Sequence, residues 1–322
     1  MDMENKVRQI RELVEAKREK FARVSDEVWA VPELYFHETK SAAILIKALK
    51  EEGFEVQEGV DGIPTAFIGT WGSGKPVIGI LGEFDALPSL SQEAGCWEHK
   101  EIIKGGPGHG CGHNALGAGA MAAAVAAKDY MEKNGLSGTI RYYGCPAEEA
   151  GWGKMFLARD GYFDDLDACY TWHPGVGNMV QGTSSLANMC AFFTFKGRTS
   201  HAAASPHLGR SALDACGAAP NVVQDHAQLK YFIRAPKITQ VKEIGERVKD
   251  IARGAALMTG TEVDIYFSAG MCDYVPNDVL SEILSEALVA VGGPKFDDAD
   301  RELAKKFFDL YTPSEIEAAL KR

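Results

Sequence analysis

Short apolar runs that alternate with helical patterns constrain this chain more than any other feature of its sequence. Residues 77–81 (VIGIL) predict a buried strand, and residues 139–143 and 167–172 predict two further strands. Segments with the period of an amphipathic helix separate these runs, and such alternation is typical of an α/β fold. The first half of the chain is therefore predicted to be an α/β domain.

Acidic and histidine residues come soon after each of these three predicted strands. They are, in chain order, Asp85, Glu148, Glu149 and His173. In open α/β sheets the ligand crevice lies outside the carboxyl ends of the strands, so these side chains are expected to converge. Any one of them alone is more often an ordinary solvated residue, but their recurrence at strand ends predicts a functional site.

A glycine-rich stretch, residues 108–114 (GHGCGHN), adds Cys111 and His113 to this set. The two residues need an extended or turn backbone to bind one ion, and the flanking glycines permit it. Thiolate, imidazole and carboxylate ligands together suit Zn²⁺, while imidazole with carboxylate also admits Mn²⁺. Glu148 and Glu149 point to opposite sides of an extended backbone, so one can bind metal while the other takes a proton from water that the ion has acidified.

Several alternatives compete with a metallohydrolase. The stretch could be a simple turn with a buried thiol, and a structural zinc site would not need the acids. A Cys–His nucleophile leaves the two glutamates unexplained, and a phosphate-binding loop would end in Lys-Ser or Lys-Thr. A redox role for Cys111 lacks a Cys-x-x-Cys pattern. The metallohydrolase accounts for most of the residues.

Composition excludes other classes. The formal net charge of −11 disfavours nucleic acids and anionic membrane surfaces as partners. The N-terminus predicts a charged helix rather than a signal peptide, and the apolar run 115–127 is too short to cross a bilayer. Seven cysteines without framework spacing fit a reducing compartment, so a cytoplasmic protein without membrane or nucleic-acid partners is expected.

The rest of the chain is predicted from its hydrophobic periodicity and its turn residues. We expect helices at 4–29, 38–52, 115–130 (with Asn114 as N-cap), 154–159, 210–215 and 240–258. Further strands are expected at 54–56, 65–70, 191–195, 228–233 and 262–267. Residues 279–322 predict two or three amphipathic helices. The pattern of predicted elements changes near residue 187. This change predicts a catalytic region at 1–186, a small α+β module at 187–275 and a helical segment at 276–322.

The motifs together resemble a known family. Residues 82–88 (GEFDALP), 108–114, 146–149 (PAEE) and 172–174 (WHP) resemble the aminoacylase-like dinuclear metallopeptidases, and within them the aminobenzoyl-glutamate utilisation branch of amidohydrolases. Segments at 197–202, 219–222, 231–236 and 255–259 fit the same branch, so the resemblance covers nearly the whole chain. It implies a metal-binding α/β catalytic domain with a smaller α+β lid and dimerisation domain.

The resemblance also implies roles for individual residues. Two divalent ions, Zn or Mn, would be held by Cys111, His113, Glu149 and His173. Glu148 would be the general base, and Asp85 would support the site. His201 would reach a partner subunit's active site and stabilise the oxyanion, while Asn221 and Arg234 would hold the substrate carboxylate.

The implied reaction is hydrolysis of the amide bond of an N-acyl amino acid such as p-aminobenzoyl-glutamate, in a homodimer or a hetero-oligomer with a related subunit. Two departures from the family pattern are expected to matter. The lid helix after Leu213 is very short, and no histidine follows His226, so the family's last metal-binding histidine has no counterpart. The chain thus resembles an internally shortened, C-terminally truncated member, and the alternative is a catalytically impaired or inactive metal-binding subunit. A thiol-based redox protein is a weaker third reading.

Overall fold

The computed structural model describes residues 3–175, 177–201, 203–212 and 222–320. The chain forms two compact units. One comprises Met1–Val180 with Glu282–Arg322, and the other comprises Gln181–Ser281. Their assignment as catalytic and lid domains stays a prediction, whereas the mixed α/β class is confirmed by the helices and sheets described below.

The first unit is built on a five-stranded mixed sheet. Its strands are β1 (Glu55–Glu58), β2 (Phe67–Ser73), β3 (Val77–Glu83), β4 (Gly138–Cys145) and β5 (Ala168–Tyr170). They lie in the order β1-β2-β4-β3-β5. Strand β3 is parallel to β4 and to β5, whereas β2 is antiparallel to both β1 and β4. The carboxyl ends of β3, β4 and β5 consequently meet at one edge, as the sequence predicted.

Helices cover this sheet. They are α1 (Met3–Ala16), α2 (Arg18–Trp29), α3 (Thr39–Glu51), α4 (His113–Asn134) and α5 (Gly153–Arg159). The largest core joins α2, α3 and α4 to the sheet, and its fully buried members include Leu45, Leu49 and Met121. Gly117 allows α4 to approach β3 closely, because a Cβ there would lie 2.6 Å from the carbonyl oxygen of Glu83. The close approach brings the start of α4 to the end of β3.

Two predictions about these helices are wrong. The single helix expected at 4–29 is divided at Lys17, where the backbone leaves the helical region (φ −117°, ψ 9°). The Lys17 ammonium contacts Glu52 at 2.5 Å and Asp129 at 2.6 Å. Asn114 is not the N-cap of α4, because the helix begins at His113 and Gly112, with φ +79°, holds the cap position. The Asn114 amide instead donates to the Ser25 hydroxyl at 3.0 Å.

The second unit contains a three-stranded antiparallel sheet in the order β10-β6-β9. Its elements are β6 (Ala187–Lys196), β7 (Ser200–His201), β8 (Val222–Val223), β9 (His226–Ala235), α6 (Ile238–Thr259) and β10 (Glu262–Met271). Helix α6 packs on one face of the sheet through Ala252 and Ala256. The expected helix at 210–215 is not formed where the chain is described, because Arg210 pairs with Arg198 in a β-bridge. Its residues beyond 212 lie outside the described part.

Three helices end the described chain, in agreement with the sequence pattern. They are α7 (Asp278–Val291), α8 (Asp298–Phe308) and α9 (Pro313–Leu320). Asp297 caps α8 by accepting a hydrogen bond from the Asp300 backbone at 2.9 Å. Among all helices of the described residues, none is both long and apolar enough to cross a membrane.

Candidate metal centre

Asp85 organises the edge of the sheet where β3, β4 and β5 end. Its carboxylate is 1% exposed and makes two well-formed hydrogen bonds. One oxygen accepts from Nδ1 of His113 at 2.8 Å, and the other accepts from the Glu149 backbone N–H at 2.9 Å. A carboxylate on Nδ1 fixes the tautomer of the histidine and leaves the Nε2 lone pair for a metal ion. These contacts are the ones that the supporting role of Asp85 would require, and the role itself stays a prediction.

His173 is oriented in a similar way by a backbone group. Its Nδ1 donates to the carbonyl oxygen of Pro174 at 2.8 Å, so its Nε2 is the atom free to bind metal. That Nε2 lies 3.3 Å from Sγ of Cys111. The ligand atoms of Cys111, His113 and His173 all lie within 4.8 Å of one another. The structure therefore brings together the thiol and both imidazoles that the sequence singled out.

The two glutamates after β4 also lie here. Oε1 of Glu149 is 3.9 Å from Nε2 of His113, while Glu148 belongs to a second cluster with His113 and Glu83 whose ligand atoms lie within 4.8 Å. Glu149 also contacts the Cys111 thiol. Both glutamates thus lie near His113 in the structure, and their separate roles as metal ligand and general base stay a prediction.

Sequence reasoning singled out Asp85 after β3 but missed Glu83 as a site residue. This carboxylate is 7% exposed, and its Oε2 lies 3.1 Å from Nε2 of His113. Its other oxygen pairs with Lys154 from α5. The available signal was its place at the end of a buried strand, whereas no sequence pattern marked Lys154.

Charge and burial shift several pKa values in the cluster. Burial and the neighbouring carboxylates, Glu149 first, raise the pKa of Cys111 to about 12. A nucleophilic or redox-active cysteine requires the opposite shift, so the thiol-based readings lose support in the metal-free chain. Burial and the charge of Glu83 raise the pKa of Glu148. Burial lowers the pKa of His113, but the Asp85 hydrogen bond and carboxylate charges outweigh it, and the net shift is upward.

Glu38 is a second residue that sequence reasoning missed. It precedes α3, is fully buried, and accepts a hydrogen bond from the backbone N–H of Ala147 at 2.8 Å. Ala147 has a positive φ of 58° and directly precedes the two glutamates. Burial raises the pKa of Glu38 to about 7. Its position indicates that it holds the loop in which Glu148 and Glu149 lie.

The residues present fit a divalent metal ion. Among the buried side-chain atoms without a hydrogen bond in the described residues, three belong to this cluster: Oε2 of Glu83, Nε2 of His113 and Oε1 of Glu149. Buried polar atoms normally have partners, so lone pairs that converge without donors indicate a cation site. Sulfur, nitrogen and oxygen ligands suit Zn²⁺, and the nitrogen and oxygen subset suits Mn²⁺.

The remaining predicted residues lie in the second unit or outside the described residues. Nδ1 of His201 accepts the backbone N–H groups of Ala203 (3.2 Å) and Ala204 (3.0 Å), so a neutral ring carries its proton on Nε2. Arg234 is an exposed residue of β9, and its guanidinium lies 5.4 Å from the Phe232 ring centroid. Asn221 lies outside the described residues.

Comparison with known proteins identifies the family of this chain. Residues 79–302 match Peptidase family M20/M25/M40. The chain belongs to this family. It is 43% identical to a subunit of the p-aminobenzoyl-glutamate hydrolase of Escherichia coli (strain K12), over 99% of this chain and 72% of that protein. It is 28% identical to the Xaa-Arg dipeptidase of Mus musculus, over 87% of this chain and 70% of that enzyme. The prediction of a metal-dependent amidohydrolase is confirmed at this level.

Solved structures confirm the fold. An aminobenzoyl-glutamate utilization protein from Klebsiella pneumoniae matches with a TM-score of 0.67 and 18% identity, covering 94% of this chain and 91% of that one. A dinuclear metal binding peptidase of the M20 family from Bacillus subtilis matches with a TM-score of 0.59 and 20% identity, covering 90% and 87% respectively. At these identities the likeness supports the α/β architecture alone.

Proposed function

We propose that this enzyme hydrolyses the amide bond of an N-acyl amino acid such as p-aminobenzoyl-glutamate, using two divalent ions, Zn or Mn. The ions would be held by Cys111, His113, Glu149 and His173. The observation that carries the proposal is the convergence of the Cys111 thiol with the Nε2 atoms of two oriented histidines. The name of the Escherichia coli relative supports the substrate class.

Glu148 is the general base of the proposed reaction. When bound, the ions supply Lewis-acid polarisation of the amide carbonyl and make water ionisable near neutral pH. Glu148 lies beside Glu83 and His113 at the same sheet edge, where it can take a proton from that water. It then passes the proton to the departing amine. Asp85 keeps His113 in the required tautomer throughout.

The second unit supplies the substrate contacts in this proposal. Arg234 is exposed and permanently charged, and with Asn221 it binds the carboxylate of the amino acid. His201 presents Nε2–H, which is the donor needed to stabilise an oxyanion in the active site of a partner subunit. The enzyme would act as a homodimer or together with a related chain, because the Escherichia coli relative is named as one subunit of a hydrolase. A cytoplasmic location completes the proposal.

Metal analysis combined with a substrate panel tests the proposed function. The purified chain should contain about two ions, and hydrolysis of p-aminobenzoyl-glutamate should stop on chelation and return with Zn²⁺ or Mn²⁺. The panel should include other N-acyl amino acids, because no sequence motif identifies the acyl group of the substrate. About one ion or none, without hydrolysis of any panel member, would instead favour the inactive metal-binding subunit.

A further inference from the structure

The acid at the end of β3 has no role in the ligand set proposed above. Glu83 is 7% exposed, and Oε2 is among the buried oxygens of the described residues that make no hydrogen bond. An unpaired carboxylate oxygen in a buried site is costly, and native proteins normally satisfy it. The oxygen therefore marks a position where a positively charged group belongs.

This oxygen lies close to a nitrogen that is itself a proposed metal ligand. Nε2 of His113 lies 3.1 Å away, is buried, and also makes no hydrogen bond. Asp85 accepts a hydrogen bond from Nδ1 of His113, so Nε2 is the ring atom that faces this oxygen. Nitrogen and oxygen ligands of one tetrahedral zinc ion lie ~3.3–3.6 Å apart, which follows from bonds of ~2.0–2.2 Å. The observed separation is close to that of two ligands on one ion.

A basic residue fixes the direction of the Glu83 carboxylate. Oε1 pairs with the ammonium of Lys154, which α5 brings to the site. With one oxygen held by Lys154, the other points toward His113, and the carboxylate is preorganised as a one-oxygen ligand. Polar groups behind a ligand commonly orient it in this way. Lys154 also reduces the negative charge that the converging carboxylates of Glu83 and Glu148 would otherwise concentrate.

We propose that Glu83 is a metal ligand of this centre, oriented by Lys154, and that it shares one ion with His113. This inference rests on the proposed function, because it adds a ligand to the same site. Cys111 contacts His173, and neither residue belongs to the ligand cluster that contains Glu83, so an ion held by these two residues does not depend on this carboxylate. Loss of Glu83 should accordingly weaken the binding of one ion, while the ion bound by the thiol stays in place.

The test is metal binding by Glu83→Gln in the full chain, measured by metal analysis and by titration of the metal-free protein with Zn²⁺ and Co²⁺. Glu93→Gln is the matched control, since Glu93 is an exposed acid on the 89–107 loop. We expect the control to bind about two ions like the unmodified chain, and Glu83→Gln to bind one of them at least tenfold more weakly. The thiolate-to-cobalt absorption band should persist in Glu83→Gln and disappear in Cys111→Ser.

Two more variants separate loss of a ligand from loss of the fold. Glu83→Asp keeps the charge but shortens the side chain, so this variant should fold and should still bind the same ion more weakly. Lys154→Met keeps the carboxylate and should retain both ions, with a smaller loss of affinity. Thermal unfolding of each metal-free variant verifies that it is folded.

The outcomes distinguish this inference from the proposed function. If Glu83→Gln and Glu93→Gln bind both ions with equal affinity, Glu83 is not a ligand, although hydrolysis by the unmodified chain would still support the proposed function. If the unmodified chain binds no ion, both proposals fail. Weakening of one ion in Glu83→Gln, with the cobalt band intact, supports the role of Glu83 whatever the substrate proves to be.

Discussion

The two sides of the candidate metal centre are built differently. On the inner side, Glu83, Asp85 and His113 are 7%, 1% and 0% exposed, and His113 contacts both acids. On the outer side, His173 is exposed and Cys111 is half-buried, and the histidine is oriented by the Pro174 carbonyl. The comparison teaches that the inner residues are held by contacts between side chains, whereas the outer ones depend on loop backbone.

The origin of the difference is topological. The inner residues lie at the end of β3 and at the start of α4, which the core holds rigidly, and Gly117 lets these elements approach closely. The outer residues follow β5 and precede α4 in glycine- and proline-containing loops. Gly112 reflects this packing, since a Cβ there would lie 3.1 Å from the Pro174 ring. Substitutions on the inner side should therefore reduce metal affinity or stability more than substitutions on the outer side.

The largest effect is expected on catalysis when the proposed general base, Glu148, is replaced. This change should reduce turnover without removing metal from either side of the site. Glu148→Gln should reduce kcat/KM by roughly 10²–10⁴-fold, since general bases typically contribute that much, while metal content is retained. Steady-state hydrolysis and metal analysis on the same sample measure the two quantities. Glu98→Gln, an exposed acid, is the control. A variant that keeps turnover but loses metal would contradict the assignment of Glu148.

The next effect concerns the buried support of the loop that carries Glu148 and Glu149. Because burial raises the pKa of Glu38 to about 7 from the ordinary 4.5, the folded chain retains a proton that the unfolded chain releases. The free energy of unfolding should therefore fall as pH rises between about 4.5 and 7, by up to about 3 kcal/mol. Glu38→Gln should remove this slope.

Denaturant unfolding from pH 4 to 8 measures how the free energy of unfolding of the metal-free chain differs between Glu38→Gln and the unmodified protein. Glu33, which accepts the backbone N–H groups of Lys40 and Ser41 at 2.8 and 3.0 Å, offers a control. Glu33→Gln should leave the Glu38-dependent slope in place. Parallel curves for Glu38→Gln and the unmodified chain would show that Glu38 is ionised in the folded state.

A smaller effect is expected for the support of the inner histidine. Asp85→Asn should weaken metal binding by about 10–100-fold, which is the usual loss when the partner of a metal-binding histidine is removed. Competition with a chelator of known affinity measures it. The outer histidine uses a backbone carbonyl and has no such side chain to remove. Unchanged affinity in Asp85→Asn would mean that the inner side is not preorganised by this carboxylate.

The smallest effect is expected away from the centre. Lys196 and Asp264 form an exposed ion pair across β6 and β10 in the second unit. Exposed pairs are screened by solvent and contribute little, so Lys196→Met should leave the thermal unfolding midpoint without a resolvable change. A clear drop in the midpoint would show that this exposed pair does contribute to the stability of the second unit.

Local patterns alone were enough to predict most elements of the fold. The apolar run before Glu83 became β3, and the helix before Gly53 became α3, because strong periodicity and a glycine stop signal act within a few residues. The break at Lys17 was not predictable in this way. Its partners, Glu52 and Asp129, are distant in sequence and meet it only after folding.

The sequence by itself determined which residues could bind metal, because thiol, imidazole and carboxylate groups at strand ends are visible without a structure. Only the tertiary structure decided which of them lie together and in what state. It placed Glu83 beside His113, brought Lys154 from α5, and put Glu38 behind Ala147. Distances and burial depend on contacts between residues far apart in the chain, and these contacts set both the tautomers and the pKa values of the site.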